Sequence, residues 1–223
     1  MNQALIPVIA IDGPTASGKG TVAQRVAEKL GFHYLDSGSL YRLTAFAALG
    51  QSVDLGDERA VARVASTLKI VFRDDKTLLN GVDVSNAIRT ESASQNASRV
   101  AALPVVRAAL LTLQRDFRVA PGLVADGRDM GSVVFPDAEL KIFLTASAEA
   151  RAERRTKQLK EKGMSAIMDD VVKDLRARDD RDMNRPVAPL KHDPDAYLID
   201  TTGISADVAV QKILDLAQKS VGS

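Results

Sequence analysis

Phosphate chemistry is written most densely near the N-terminus, where GPTASGKGT occupies residues 13 to 21. Gly13 and Gly18 stand five positions apart with Lys19 next, matching G-x-x-x-x-G-K, a loop whose backbone N–H groups converge on phosphate oxygens. The anion site would comprise Gly13, Pro14, Thr15, Ala16, Ser17, Gly18, Lys19, Gly20 and Thr21. A following helix would lend the partial positive charge of its N-terminus, and Lys19 would bridge the outer phosphates. A Gly-rich turn with a surface lysine is the bland alternative; strand and helix patterns on either side count against it. Gly20 stands where the strict pattern carries Ser or Thr, whose hydroxyl normally binds Mg²⁺. The nearest downstream hydroxyl belongs to Thr21. A Mg²⁺ ion would therefore lean on nucleotide oxygens and water, with Thr21 and Asp126 the protein groups able to approach it.

Three further stretches carry charge in usable patterns. ADGRDMG (125 to 131) follows a buried apolar run, and the carboxyl ends of strands are where open α/β sheets place ligands. Asp126 could approach a Mg²⁺ shell there, and Arg128 could grip a phosphate with two parallel hydrogen bonds; an exposed turn with an internal Asp-Arg pair fits the same residues. In DSGSLYR (36 to 42), Ser37, Gly38 and Ser39 precede an apolar helix containing Leu40 and Leu43, so one serine is expected to cap it. Arg42 in the first turn opposes the helix dipole unless an anion sits nearby. In RARDDRDMNR, Arg178, Arg181, Asp182 and Arg185 stand at i, i+3, i+4 and i+7, which places three guanidiniums and a carboxylate on one helical face. A solvated helix laced with salt bridges has the same spacing. Arg151, Arg154 and Arg155 open another basic helical stretch, with Gly163 at its far end. His33 and His192 lack partners at ligand spacing, so no histidine metal site is expected.

Short apolar runs that would position these groups occur at Val8 to Ile11, Phe32 to Leu35, Leu123 to Ala125, Lys141 to Thr145 and Tyr197 to Ile199. The last three are near-continuously apolar, as parallel strands covered on both faces should be, and helical patterns intervene. Val22, Ala23, Val26, Ala27 and Leu30 predict the helix after the loop. Lys69 to Phe72 and Leu78 to Ser85 predict two strands of an antiparallel insertion, and Asn80-Gly81 suits a tight hairpin turn. Val106, Ala109, Leu110, Leu113 and Phe117 predict one helix face, stopped by Pro121-Gly122. Val210, Ile213, Leu214 and Ala217 predict a closing amphipathic helix.

The bulk numbers narrow the partners. The 223 residues suit one domain with small insertions, and 30 Lys plus Arg against 29 Asp plus Glu leave a net charge of +1, too little to gather nucleic acid or an anionic membrane. Aromatics at 4% argue against single-stranded RNA binding. The absence of cysteine excludes disulfides and thiolate metal sites and suits a reducing compartment. The start, MNQALIPVIAIDG, lacks a signal peptide's basic end and cleavage site, and Asp12 ends its apolar run early. A soluble, cytoplasmic monomer is expected.

GPTASGKGT at 13 to 21, LDSGSLYR at 35 to 42, ADGRDMGSVVFPDA at 125 to 138 and ARDDRDMNRPVAPL at 177 to 190, in that order, resemble the nucleoside monophosphate kinases, and within them the bacterial cytidylate kinases. The resemblance implies an α/β fold of P-loop NTPase type, a doubly wound five-stranded parallel sheet with an inserted antiparallel NMP-binding region and a short helical lid. It divides the chain into a core (about 1–36, 103–150 and 186–223), an insertion (about 37–102) and a lid with arginine-rich helices (about 151–185). It implies phosphoryl transfer from ATP, with Mg²⁺, to CMP or dCMP. Lys19, Arg128, Asp126 and the lid arginines Arg154 and Arg155 would be catalytic; Arg151 is expected only to pair with Glu149 or Glu153. Ser37, Tyr41, Arg42, Ser98 and Arg107 would contact the acceptor from the insertion. Arg42, Arg128 and Arg185 would hold its phosphate, Asp129 would read cytosine, and Arg178 and Asp182 would meet the sugar. Arg128→Ala is then expected to reduce kcat far more than it disturbs folding. A P-loop kinase of another small acceptor, such as shikimate or a different nucleotide, and a non-catalytic nucleotide switch are the competing readings.

Overall fold

A computed structural model of the chain describes residues 6–73, 76–161, 163 and 165–220. The first elements are β1 (Val8–Asp12), α1 (Lys19–Leu30), β2 (His33–Asp36), α2 (Ser37–Gly50) and α3 (Glu58–Ser66). Then come β3 (Ile70–Arg73), β4 (Lys76–Leu79), β5 (Val82–Asp83), α4 (Glu91–Ala101) and α5 (Pro104–Arg115). The chain closes with β6 (Leu123–Gly127), β7 (Leu140–Thr145), α6 (Ala148–Glu161), α7 (Met168–Asn184), β8 (Tyr197–Asp200) and α8 (Ala206–Ser220). Two compact units result, one formed by the residues up to Asp36 together with those from Asp116 onward, the other by Ser37–Arg115.

The first unit is a parallel sheet in the order β2-β6-β1-β7-β8. All five expected strands form. Its centre, β1, is buried along its whole length and shows no polar alternation because it is covered on both faces. Ile9, Ile11, Val22, Val26, Leu144, Val210 and Ile213 form its core with α1 and α8, as their helical spacing predicted. The registers Ile11↔Asp126 and Asp36↔Asp126 bring the carboxyl ends of β1, β6 and β2 level. At the edge, β8 departs from expectation: Tyr197 and Leu198, on opposite faces, are both exposed, and of the apolar run Ile199 is buried. Immediately after β1, a Cβ on Gly13 would lie 2.0 Å from the Leu144 carbonyl oxygen, so the loop passes β7 at a distance no other residue tolerates. No helix of the described residues is long and apolar enough to cross a membrane.

In the second unit α2 packs on α4 and α3 on α5, with Leu43, Val64, Val100 and Val106 buried. Because α5 packs there, the unit reaches Arg115 rather than residue 102. α5 also stops at Arg115, short of Phe117 and well before Pro121. The antiparallel insertion has three strands, β3-β4-β5, where two runs were expected. Asn80 and Gly81 both take positive φ (52° and 83°), and this turn splits the second run into β4 and β5. The β3–β4 connection, Asp74 and Asp75, lies outside the described residues.

Candidate active site

At the carboxyl end of β1, Lys19 is the first residue of α1. Its Nζ donates to the Pro14 carbonyl at 3.4 Å and lies 3.8 Å from Oδ1 of Asp126, the fourth residue of β6. Both side chains are over 90% buried. Burial, reinforced by Arg128 and Arg178, lowers the Lys19 pKa to about 8, against the pull of Asp126 and Asp36. Burial likewise raises the Asp126 carboxyl, although Lys19 and Arg128 oppose it. An ammonium made easier to discharge is one that gains from a bound polyanion, which restores its charge.

The loop's carbonyls are held from behind. Thr15 O accepts from Arg151 Nη1 at 3.2 Å, and Ser17 O accepts from Arg154 Nη1 at 3.2 Å and from the Thr201 hydroxyl at 3.1 Å. Fixing the carbonyls orients the peptide planes so that the amides are free to face an anion. Arg151 is buried, with Nη2 2.7 Å from Asp179 of α7; it does not pair with Glu149 or Glu153, and Glu149 instead meets Arg176 at 3.6 Å. Arg154 also donates to the hydroxyl and carbonyl of Thr201. Arg155 Nη1 donates to the Gln158 side-chain oxygen at 3.5 Å on the same helix. In the stretch expected to form the lid, Ala152 of α6 packs with Val171 and Leu175 of α7. Part of its far end, residues 162 and 164 around Gly163, lies outside the described residues.

Arg128 donates through Nε to Asp182 Oδ2 at 2.9 Å and through Nη2 to the Thr15 hydroxyl at 3.2 Å. Burial pushes the Asp182 carboxyl up, but Arg128, Arg178 and Arg185 together outweigh it and hold Asp182 below the usual carboxylate range. Arg185 Nη2 lies 3.3 Å from Asp129 Oδ1, both side chains nearly inaccessible. The helical arithmetic for this group needs correction. α7 ends at Asn184, and Arg185 is already extended, as a residue before proline must be. Asp182 and Arg185 are buried and Arg178 half-buried, whereas Arg181 is exposed, so the four do not present one common helical face.

Within the second unit, α2 begins at Ser37 itself, so Ser37 and Ser39 lie inside the helix rather than before it, and Arg42 falls in its second turn. Ser37, Ser98 and Tyr41 are buried. Arg42 Nη2 donates to the Ser39 hydroxyl at 2.6 Å. Arg107 donates to Ala101 O at 3.1 Å and sets its guanidinium 5.6 Å from the Tyr41 ring centroid, a cation–π arrangement that orients both. Four of the five insertion residues thus sit on helices α2 and α4, which pack together, and Arg107 comes from α5.

Several functional neighbours escaped the sequence. Both oxygens of Asp12 accept from the next loop, from Met130 N at 2.8 Å and Gly131 N at 2.9 Å. Burial pushes its carboxyl up to about 7 against those two amides, with Asp129 adding to the rise. Its position directly before Gly13 was the available signal. Tyr34, whose hydroxyl donates to Asp126 Oδ2 at 2.9 Å, and Thr201 gave none, because only strand register brings them to the loop. Thr21, one of two groups considered for Mg²⁺, is exposed. Among the described residues there is no group of three or more His, Cys, Asp or Glu able to hold a metal ion. Asp126 fits Mg²⁺, which binds through one or two carboxylates plus substrate phosphates and water.

Comparison with known proteins identifies the family. The cytidylate kinase family model matches residues 9–219. A cytidylate kinase of Chromobacterium violaceum is 58% identical over 218 residues, 98% of each chain. Those of Nitrosomonas europaea and Bordetella pertussis are 53% and 58% identical, over 97% and 94% of each chain. Among solved structures, an uncharacterized protein from Eubacterium ventriosum superposes with a TM-score of 0.51 at 12% identity, covering 94% of this chain and 97% of its own, which supports the fold alone. With the loop, Lys19 and the buried Asp-Arg pairs in place at the carboxyl ends of β1 and β6, these matches show that the chain belongs to the cytidylate kinase family.

Proposed function

We propose that the protein transfers the γ-phosphoryl group of ATP to CMP or dCMP at this site, giving ADP and CDP or dCDP. The bond from the γ-phosphorus to the bridging oxygen breaks, and an oxygen of the acceptor's phosphate forms the new one. That acceptor is already an anion and needs no strong base, so the protein's task is positioning and charge neutralisation. The observation that carries the reading is the buried Lys19 beside Asp126, with Arg128 within electrostatic reach of both.

Lys19 and the loop amides would hold the triphosphate. Mg²⁺, when bound to ATP near Asp126, would draw charge from its β- and γ-oxygens. Arg128 and Arg185 would neutralise the acceptor phosphate, exchanging part of their bonding to Asp182 and Asp129 for phosphate oxygens. Asp129, held as an acceptor by Arg185, suits the exocyclic amino group that cytosine has and uracil lacks. Arg178 and Asp182 would meet the sugar. Ser37, Tyr41, Arg42, Ser98 and Arg107 would complete acceptor binding from the insertion, and Arg154 and Arg155 would serve the donor. An acceptor panel with coupled ADP detection tests this reading: CMP or dCMP should outpace AMP and shikimate, and turnover with shikimate but not CMP would overturn it.

A further inference from the structure

The missing hydroxyl at position 20 has a structural counterpart on β2. A Cβ built on Gly20 would lie 3.3 Å from Asp126 Oδ2 and 3.7 Å from the Tyr34 hydroxyl, so a serine or threonine there would crowd the carboxylate. That space is filled instead by the phenol, which donates to the same Oδ2 at 2.9 Å. The other oxygen, Oδ1, faces Lys19 at 3.8 Å. The carboxylate is thus fixed at one oxygen by a neutral donor and at the other by a cation. Tyr34 can do this because its backbone pairs with Val124, two residues before Asp126, and the register holds the ring alongside the end of β6.

We propose that Tyr34 is a positioning residue for Asp126, supplying from β2 the hydroxyl that the phosphate loop omits, so that the carboxylate presents one orientation to nucleotide-bound Mg²⁺. This inference rests on the Mg·ATP reading above. The phenol hydroxyl carries a single O–H donor, and that donor is spent on Asp126. Without it a buried carboxylate oxygen is left with no donor, and the side chain is free to turn away from the metal. Partners that orient a metal-facing carboxylate commonly change metal affinity by about 10-fold or more.

The test is Mn²⁺ binding to the protein·ADP complex, followed by electron paramagnetic resonance without turnover. Tyr34→Phe should weaken Mn²⁺ by about 10-fold, while the KM for CMP and the melting temperature stay close to wild type. In an Asp126→Asn background Tyr34→Phe should have no further effect. Tyr34→Met provides a second hydroxyl-free variant should Tyr34→Phe fail to fold. Wild-type Mn²⁺ affinity in either folded variant would overturn the role of Tyr34. Failure of the wild-type complex to bind Mn²⁺ more tightly than free ADP would instead overturn the metal-nucleotide reading beneath it.

Discussion

Binding of ATP should take up a proton in a narrow pH window, because Lys19 is held in a state that sheds its charge too early. Burial and the neighbouring guanidiniums lower its pKa from 10.5 to about 8. The negative charge of a triphosphate packed against the ammonium opposes both causes and should return the pKa to about 10 or above. At pH 8.5 the free protein then carries the Lys19 proton about a quarter of the time and the complex nearly always, so about 0.7 proton is absorbed per ATP, against almost none at pH 6.5. Calorimetry of Mg·ATP binding in buffers of different ionisation enthalpy reads this number directly. Lys19→Arg is the control, since a guanidinium does not titrate there. Equal proton uptake by wild type and Lys19→Arg at pH 8.5 would refute the argument. The same shift has a stability signature. The folded chain releases the Lys19 proton at about pH 8 while the unfolded chain keeps it to about 10.5. The cost of the buried ammonium, about 3 kcal/mol, is therefore fully present below pH 8 and is relieved as pH rises through that interval.

Arg128→Ala should lower kcat by about 100- to 1,000-fold in a coupled assay. It should cost about 2 kcal/mol in denaturant unfolding, more than the sequence alone suggested, because Asp182 loses a buried partner but keeps Arg178 and Arg185. Wild-type-like turnover in a folded Arg128→Ala protein would remove that residue from the mechanism. Asp12 reaches a pKa of about 7 in the folded chain, so its contribution to stability should decline as pH rises from about 4 to about 7, where the folded chain holds a proton that the unfolded chain has released. Asp12→Asn should flatten that slope, measured by unfolding at pH 5.5 and 8, and an unchanged slope would assign it elsewhere. Arg154→Ala should raise the KM for ATP by roughly 10-fold with little change for CMP, since Arg154 braces the loop through Ser17 and Thr201; an Arg155→Ala effect larger than this would reverse their order.

Local pattern carried the reading a long way where a single segment holds the information. The loop from Gly13 to Thr21 lies within one strand-turn-helix unit, so its spacing alone announced phosphate binding, although the neighbour that forbids a side chain on Gly13 is Leu144 of β7. The five core strands were legible for a related reason: runs of apolar, β-branched residues between helical patterns have few other places to go. The errors arose where a boundary or a neighbour decides. Helical periodicity placed Arg181 and Arg185 on one face, but Pro186 straightens the chain at Arg185, and packing of Val171, Leu175 and Asp182 turns Arg181 outward. The apolar β8 gave no sign that it would be an edge strand, because strand order is not encoded in composition.

Sequence by itself therefore determined the phosphate loop, the parallel core, the family and the inventory of cations. Only the tertiary structure decided which cation faces which carboxylate. Lys19 and Asp126, Arg128 and Asp182, and Arg185 and Asp129 are separated by tens of residues along the chain, and they meet because parallel register aligns the carboxyl ends of β1, β6 and β2 while α7 and the residue after it bring Asp182 and Arg185 beside Arg128 and Asp129. Ion pairing and burial act through space over a few ångströms, and those distances exist only once the strands have been ordered and the helices laid against them.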